Sequence, residues 1–567
     1  MPSMTRLASL FAALALLACV PRPSRVAPAR YDVVIGNAKI YDGAGNPWSY
    51  GDVALSGDRI ARVAPRGALA NAAAARRIDA TGLALAPGFI DVQGQSYEPL
   101  LLGDGRVVSK ASQGVTTEIL GEGTTPAPQT PIVFAEMGWT DTAGARALSA
   151  RFAGEHGFGN WLDAMAAHGV SVNVGSFLGA ATVRMYAKGT SQGPASAAEV
   201  DSMRAVTRRA MEDGAFGVAS ALIYPPGAFM STEELVEVAR AMAPYGGLYV
   251  THMRSEGDRL LEATAEALRI GREAGVPVEI YHLKAAGQRN WSKARQLVAT
   301  IDSARRAGQD VAATMYPYTA GATSLASCIP PRASAEGRLL ANLADPATRK
   351  RIHDEVLAGR SDDSESLCEL GTPNGVMVVG FRDSTLVRFE GMRLDEIARA
   401  MSLDWADALI ELTLRERARL GALFFLASDE NLRMQLRQPW VIIGTDADGI
   451  DPDSARGMTH PRGYGTYPQL IGRLARDEGV MTVEEAIRKS TFAVAQRLGI
   501  RDRGLVAEGM FADLVLFDPA AIADRATYVR PHAIAAGVRH VFVNGIETWR
   551  DGRHTGAKPG RALRKGR

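Results

Sequence analysis

Two of the nine histidines in this chain close hydrophobic runs in matching settings, Thr251-His252-Met253-Arg254 and Tyr281-His282-Leu283-Lys284. Another apolar run, Gly114–Leu120, ends in Gly121-Glu122-Gly123, and a further one ends in Ile443-Gly444-Thr445-Asp446. Neutral imidazole nitrogens with one carboxylate are typical ligands for zinc or a similar divalent ion. Glu122, His252 and His282 supply that set. An open coordination position would hold a water whose pKa falls toward ~7. Asp446 is then the natural general base, taking a proton from that water and returning it to a leaving nitrogen. Asp448 shares its strand face and is a rival base, and pairing with a nearby arginine would make Asp446 structural instead. Glu122, between two glycines, could also be a turn or cap residue. A lone strand-end histidine is more often a hydrogen-bonded structural residue, but two in consecutive strands with carboxylates at other strand ends favour a metal site.

Further polar residues close other runs. Asp91, Gln93 and Gln95 alternate along one strand within Leu83–Gly123, so they project from one face. Lys284 and Tyr318 also end their strands. His460, on the loop after the last strand, divides evenly between an active-site and a structural reading. His156, His168, His353, His532, His540 and His554 are taken as surface residues.

These residues need a scaffold that gathers strand ends. The middle of the chain alternates strand and helix, with eight strand candidates, among them Val170–Gly179, a run ending at Tyr224, and Trp440–Gly449. Amphipathic helices are expected at Ser196–Asp213, Ser231–Pro244, Asp258–Ala274 and Trp291–Ala307, several with capping signals. The fold class is therefore α/β, a (β/α)8 TIM barrel with its active site at the C-terminal strand ends. A doubly wound open sheet is the alternative, but no Gly-x-Gly-x-x-Gly opens a helix after a first strand. Residues 87–505 form this barrel, and 319–439, too long for an ordinary loop, read as an inserted subdomain or lid. It contains helical patterns at Leu394–Met401 and Trp405–Arg415. Strand-like texture at 31–86 and 506–552 suggests a small β-sandwich built from both chain ends. Residues 553–567 are expected to be a flexible tail.

The chain has 567 residues and a formal charge of +2, which gives no support to a nucleic-acid partner. Residues 1–19 read as an export signal, too short to span a bilayer. Leu16-Leu17-Ala18-Cys19 looks like a lipobox, which would make Cys19 the lipidated first residue and 20–30 a linker; an ordinary signal peptide is the alternative. Cys328 and Cys368 are expected to be buried thiols rather than a disulfide.

Together and in order, a set of motifs resembles the N-acyl-D-amino-acid deacylases (D-aminoacylases) of the amidohydrolase superfamily. They are Ala86-Pro87-Gly88-Phe89-Ile90-Asp91, Gly114-Val115-Thr116-Thr117, Gly217-Val218-Ala219-Ser220 with Tyr224-Pro225-Pro226, and Thr251-His252-Met253-Arg254. They continue with His282-Leu283-Lys284, Tyr316-Pro317-Tyr318-Thr319-Ala320-Gly321, Gly444-Thr445-Asp446, His460-Pro461-Arg462-Gly463-Tyr464-Gly465-Thr466 and Gly509-Met510-Phe511-Ala512-Asp513-Leu514-Val515. The resemblance covers roughly 31–550. It implies metal-dependent hydrolysis of the amide of N-acyl-D-amino acids, with zinc at Glu122, His252 and His282. Glu122 stands where the family has a cysteine. The resemblance carries the catalytic aspartate onto Asp446 and a lysine near the scissile group onto Lys284. It places Tyr224, Tyr318 and Ser324 in the substrate pocket. Arg254 is added as a bidentate partner for the substrate carboxylate. Where the superfamily has His-x-His, this chain has Gln93-Gly94-Gln95, whose amide oxygens are poor zinc ligands, so one zinc is expected and a second site through Gln93 and Gln95 is doubtful. The expected partner is a small-molecule N-acyl amino acid, and the expected location is the periplasm or an outer-membrane anchor. A dipeptidase or cyclic-amide hydrolase, or a non-catalytic envelope binding protein, stand as alternatives.

Overall fold

The structure, a computed structural model, describes residues 30–138, 142–361 and 364–566. The N-terminal apolar segment with Cys19 lies outside these residues. Eight parallel strands close a barrel. They are Phe89–Asp91, Val115–Leu120, Asn173–Ser176 continued by Leu178–Gly179, Gly217–Ala221, Leu248–His252, Val278–Ile280, Val311–Met315 and Val441–Ile443. The third strand is split at Phe177: its first piece pairs with the second strand and its second piece with the fourth. The first and last strands meet at a parallel bridge between Gly94 and Ala447. There Asp446 N–H donates to Gln93 O (2.8 Å) and Gln95 N–H to Ala447 O (3.1 Å). The strands are buried along their length, as strands covered by helices on the outside must be.

The outer helices follow the sequence signals closely. Ser196 and Ser231 each complete a capping box, with Glu199 and Glu234, at the starts of Ala197–Glu212 and Thr232–Met242. Several strands stop earlier than their apolar runs suggest. The fourth ends at Ala221 rather than Tyr224, and the sixth at Ile280 rather than Lys284. Past the sixth and eighth strands the backbone turns sharply: His282 has φ 34° and Asp446 φ 51°, a left-handed conformation that non-glycine residues hold only under strong local constraint. At His282 the constraint is a hydrogen bond from its N–H to Thr314 Oγ1 (2.8 Å).

The insertion is a separate layer over the barrel mouth. Strand Gly421–Phe425 lies between Ala320–Ser324 and Val376–Val379, both antiparallel to it. Helices Pro346–Ala358, Leu394–Met401 and Trp405–Arg415 pack on this sheet around Ile352, Leu409, Ile410 and Phe424, a core separate from that of the barrel. The insertion ends sooner than 439. Helix Asp429–Leu436 already places Leu432 and Leu436 in the barrel core. Cys328 and Cys368 form a disulfide inside the insertion, correcting the expectation of two thiols. Sequence separation carries no information on whether two buried cysteines meet; here the packing of the insertion brings them together.

Both chain ends share one nine-stranded sheet, joined where Ala84–Pro87 pairs with Leu514–Phe517. The tail, expected to stand free, is laid along the outside of the barrel. Leu563 N–H donates to Val174 O and Val174 N–H to Arg561 O, and Arg564 pairs with Asp163. Arg564 also donates to Asp213 O and Gly159 O on the barrel's outer surface, and Arg561 pairs with Asp58 of the terminal sheet.

Candidate active site

Three side chains from three strand ends meet at the barrel mouth. Glu122 Oε1 lies 3.3 Å from His252 Nδ1 and 3.2 Å from His282 Nε2, and the two imidazole nitrogens are 3.0 Å apart. All three side chains are less than a tenth exposed. One anionic oxygen and two ring nitrogens thus lie together, a donor set that suits a divalent cation. A second cluster among the described residues, His353 with Asp404 and Asp407, lies on the exposed face of the insertion.

Glu256 supports the centre from behind. It is buried, with Oε1 3.0 Å from His282 Nδ1 and Oε2 3.5 Å from His252 Nε2. Lys284 Nζ donates to Glu256 Oε1 (2.6 Å) and lies 2.8 Å from His282 Nδ1. Burial pulls the His282 pKa down and Lys284 adds to that, but Glu256 and Glu122 outweigh both and raise it to about 9. Burial, offset by Glu256, leaves His252 lowered. Burial also works against charge on Glu122, yet its hydrogen bonds with the two histidines hold it well below the usual carboxylate range. The carboxylate of Glu122 is therefore held ionised beside the two imidazoles. Glu256 follows His252 at i+4, on the loop that leaves the fifth strand. The i+4 spacing is visible in the sequence, but Glu256 closes no apolar run that would mark it as part of the site.

Asp446 sits at the end of the eighth strand, lining the same cavity of about 460 Å³. Burial raises its pKa to about 6; Arg462 draws it down and Glu122 pushes it up. Arg462 Nη1 lies 2.8 Å from Asp446 Oδ2, so the arginine pairing weighed from sequence is present, but as a charge contact within the cavity. Asp448 also lines the cavity, and burial raises it to about 7. Beneath the mouth, fully buried Lys110 donates to Asp91 Oδ2 (2.5 Å), Thr445 Oγ1 (2.6 Å) and Ala447 O (2.7 Å). Asp91 is thus a tie between the first and last strands, not part of the polar group at the mouth.

The residues expected around the substrate divide. Tyr224 lines the cavity with its ring edge-on to His252 (5.3 Å between centroids), and Lys284 and His460 line it too. His460 Nε2 is 3.0 Å from Ala320 O, and Nδ1 accepts from Arg462 N–H (2.9 Å). Both ring nitrogens are engaged with backbone, so His460 is a wall rather than a proton carrier. Arg254 does not reach the cavity. Its guanidinium clamps Glu266, Ala228 O and Met230 O, because the strand ends at His252 and the alternation that would have aligned the two residues stops there. Ser324 is also turned away: it caps the turn Leu325–Cys328 by accepting from Ala326 N–H, and Thr323 faces the cavity instead. The Tyr318 hydroxyl donates to Asp524 Oδ2 (3.4 Å), outside the main cavity, while Tyr316 lines it. Arg462, in the His460–Thr466 motif, is a second cation on the cavity wall, and it is buried.

Residues 76–553 match the amidohydrolase family, and this chain belongs to that family. The D-aminoacylase of Alcaligenes xylosoxydans xylosoxydans is 34% identical over 535 residues, covering 94% of this chain and 97% of that protein. A D-aminoacylase structure described by its binuclear metal centre, with one-metal activation and second-metal attenuation, superposes with a TM-score of 0.76 at 32% identity, covering 94% and 100% of the two chains. The N-acyl-D-glutamate deacylase of Bordetella bronchiseptica, complexed with zinc and a phosphonate mimic of the tetrahedral intermediate, superposes with the same TM-score of 0.76 at 29% identity, again covering 94% and 100%.

Proposed function

We propose that this protein is a zinc-dependent deacylase that hydrolyses N-acyl-D-amino acids to a carboxylate and a free D-amino acid. The observation that carries this reading is the convergence of Glu122 Oε1, His252 Nδ1 and His282 Nε2 beside Asp446 in one cavity. Glu122, His252 and His282 would hold the ion, and zinc is the metal named with the Bordetella relative. A bound divalent ion supplies Lewis acidity to the amide carbonyl and lowers the pKa of the attacking water. Asp446 accepts the water proton and delivers it to the amide nitrogen as the C–N bond breaks, so the amine leaves neutral. Arg462 Nε and Nη1 have no aligned acceptor, although both are buried. They are the groups best placed to receive the substrate's carboxylate, the role that sequence reading gave to Arg254. Lys284 adds a second cation to the cavity wall and, through Glu256, fixes the ring of His282.

The reading extends to location: an exported protein, anchored through a lipidated Cys19 or free in the periplasm. The disulfide in the insertion supports this, since such bonds persist in oxidising compartments. The activity is tested by measuring amino acid release from N-acetyl-D- and N-acetyl-L-amino acids, a dipeptide ending in a D-residue, and a hydantoin. The highest kcat/KM is expected on an N-acetyl-D-amino acid. A higher value on the dipeptide or hydantoin would replace this reading with a dipeptidase or cyclic-amide hydrolase, and no turnover of any of them would contradict it.

A further inference from the structure

We propose that this chain takes only one metal ion at its active site, because Gln93 and Gln95 fill the second cation position with hydrogen-bond donors. The inference rests on the metal reading of Glu122, His252 and His282 given above. Glu122 has two carboxylate oxygens with different duties. Oε1 faces the imidazoles, whereas Oε2 accepts from Gln93 Nε2 (2.7 Å) and Gln95 Nε2 (2.8 Å). Two short N–H donors occupy the lone pairs that a second ion sharing this carboxylate would need.

Gln95 does more than block. Its Nε2 is also 3.4 Å from Asp446 Oδ1, so one amide group bridges Glu122 and Asp446. A cation shared by those two carboxylates would serve the same electrostatic purpose. The NH2 group places partial positive charge there without a metal. Gln93 is held in its orientation. Thr314 Oγ1 accepts the N–H of His282 (2.8 Å), which leaves its hydroxyl hydrogen to donate to Gln93 Oε1 (2.9 Å). Flipping the amide would set its oxygen against a carboxylate oxygen. The residues at the second position therefore do not fit a metal: they present donors, and their remaining oxygens are weak ligands beside imidazole. Gln93 and Gln95 are positioning residues that hold Glu122 with one oxygen toward the histidines. Attenuation by a second metal, described for a related D-aminoacylase, then has no site to act through in this chain.

The test is metal stoichiometry. Full-length protein, stripped with a chelator, is equilibrated with excess zinc, desalted and measured for zinc by mass spectrometry. His353→Ala in every sample removes the exposed cluster on the insertion as a stray binding site. One zinc per chain is expected, with the rate on an N-acetyl-D-amino acid flat as zinc is raised. Gln93→His/Gln95→His is expected to retain two. Gln95→Glu, which keeps the side-chain shape, is expected to gain a second zinc and a zinc-dependent rise in melting temperature. Two zinc ions in the parent protein, or one in both folded variants, would overturn the inference while leaving the deacylase reading standing. One zinc without turnover would support the inference and contradict that reading. No zinc at all would overturn both.

Discussion

Arg462 Nη1 stands 2.8 Å from Asp446 Oδ2 across the cavity, yet neither its Nη1 nor its Nε hydrogens are aligned onto an acceptor. A buried guanidinium with unspent donors beside the candidate base is arranged for an incoming anion. Charge-assisted hydrogen bonds contribute about 1.5–3 kcal/mol each, so Arg462→Lys is expected to raise KM by roughly 10- to 150-fold. Arg254→Ala is expected to leave KM unchanged and to lower the melting temperature, because Arg254 holds the Ala228–Met230 loop to Glu266. Steady-state kinetics and thermal melts of both variants check the pair. A larger KM effect from Arg254 would restore the assignment read from sequence.

Glu256 touches the far side of both histidines. Groups that orient metal-bound imidazoles typically change metal affinity 10- to 100-fold when removed. Glu256→Gln is therefore expected to weaken zinc binding by about that factor in competition with a chromophoric chelator. Added zinc should recover most of the rate. A loss of rate that zinc does not recover would place Glu256 in contact with substrate instead.

The pH dependence follows from Asp446. Its raised pKa, about 6, means that the base form is lost by protonation as pH falls through that value. A bound cation nearby draws the value down, so the acid limb of kcat/KM is expected at or below about 6, with the rate falling toward lower pH. Asp446→Asn should abolish the limb and lower kcat by roughly 10²- to 10⁴-fold, the usual contribution of a general base, without changing zinc content. A limb that survives in Asp446→Asn belongs to another group, and Asp448, raised to about 7, is the one to substitute next.

The Cys328–Cys368 disulfide closes a loop with a sequence separation of 40 in the insertion. Loop-closure entropy at that length corresponds to about 4 kcal/mol. Cys328→Ser/Cys368→Ser is expected to lower the melting temperature of the insertion. It should also raise KM, because Leu367, next to Cys368, lines the cavity. Differential scanning calorimetry of this variant beside the oxidised and reduced parent protein checks the first, and steady-state kinetics the second. Matching melting curves for variant and oxidised parent would show the bond to be dispensable.

What the sequence made legible was whatever depends on strand ends and periodicity. His252, His282, Glu122 and Asp446 each terminate an apolar run, and the barrel has to bring such ends together. The helices Leu394–Met401 and Trp405–Arg415 stand where their patterns placed them. Legibility failed where a turn, rather than the strand, sets the direction of a side chain. Arg254 follows His252 by two, yet the chain has left the sheet by then, so alternation no longer sets its direction. Ser324 and Thr323 are adjacent, and a cap on the following turn decides which of them faces the cavity. Glu256, the disulfide and the docked tail all depend on contacts between distant segments, which no local pattern encodes. Gln93 and Gln95 lay between these cases: their positions were visible, but their duty depends on where the Glu122 carboxylate turns.

The central claim is tested most directly by chelator-stripped protein given one equivalent of zinc and assayed for amino acid release from N-acetyl-D-methionine and N-acetyl-L-methionine. The account predicts no release before zinc is added, release from the D-substrate once it is restored, and little from the L-substrate. Release that survives the chelator, or that favours the L-substrate, would contradict it.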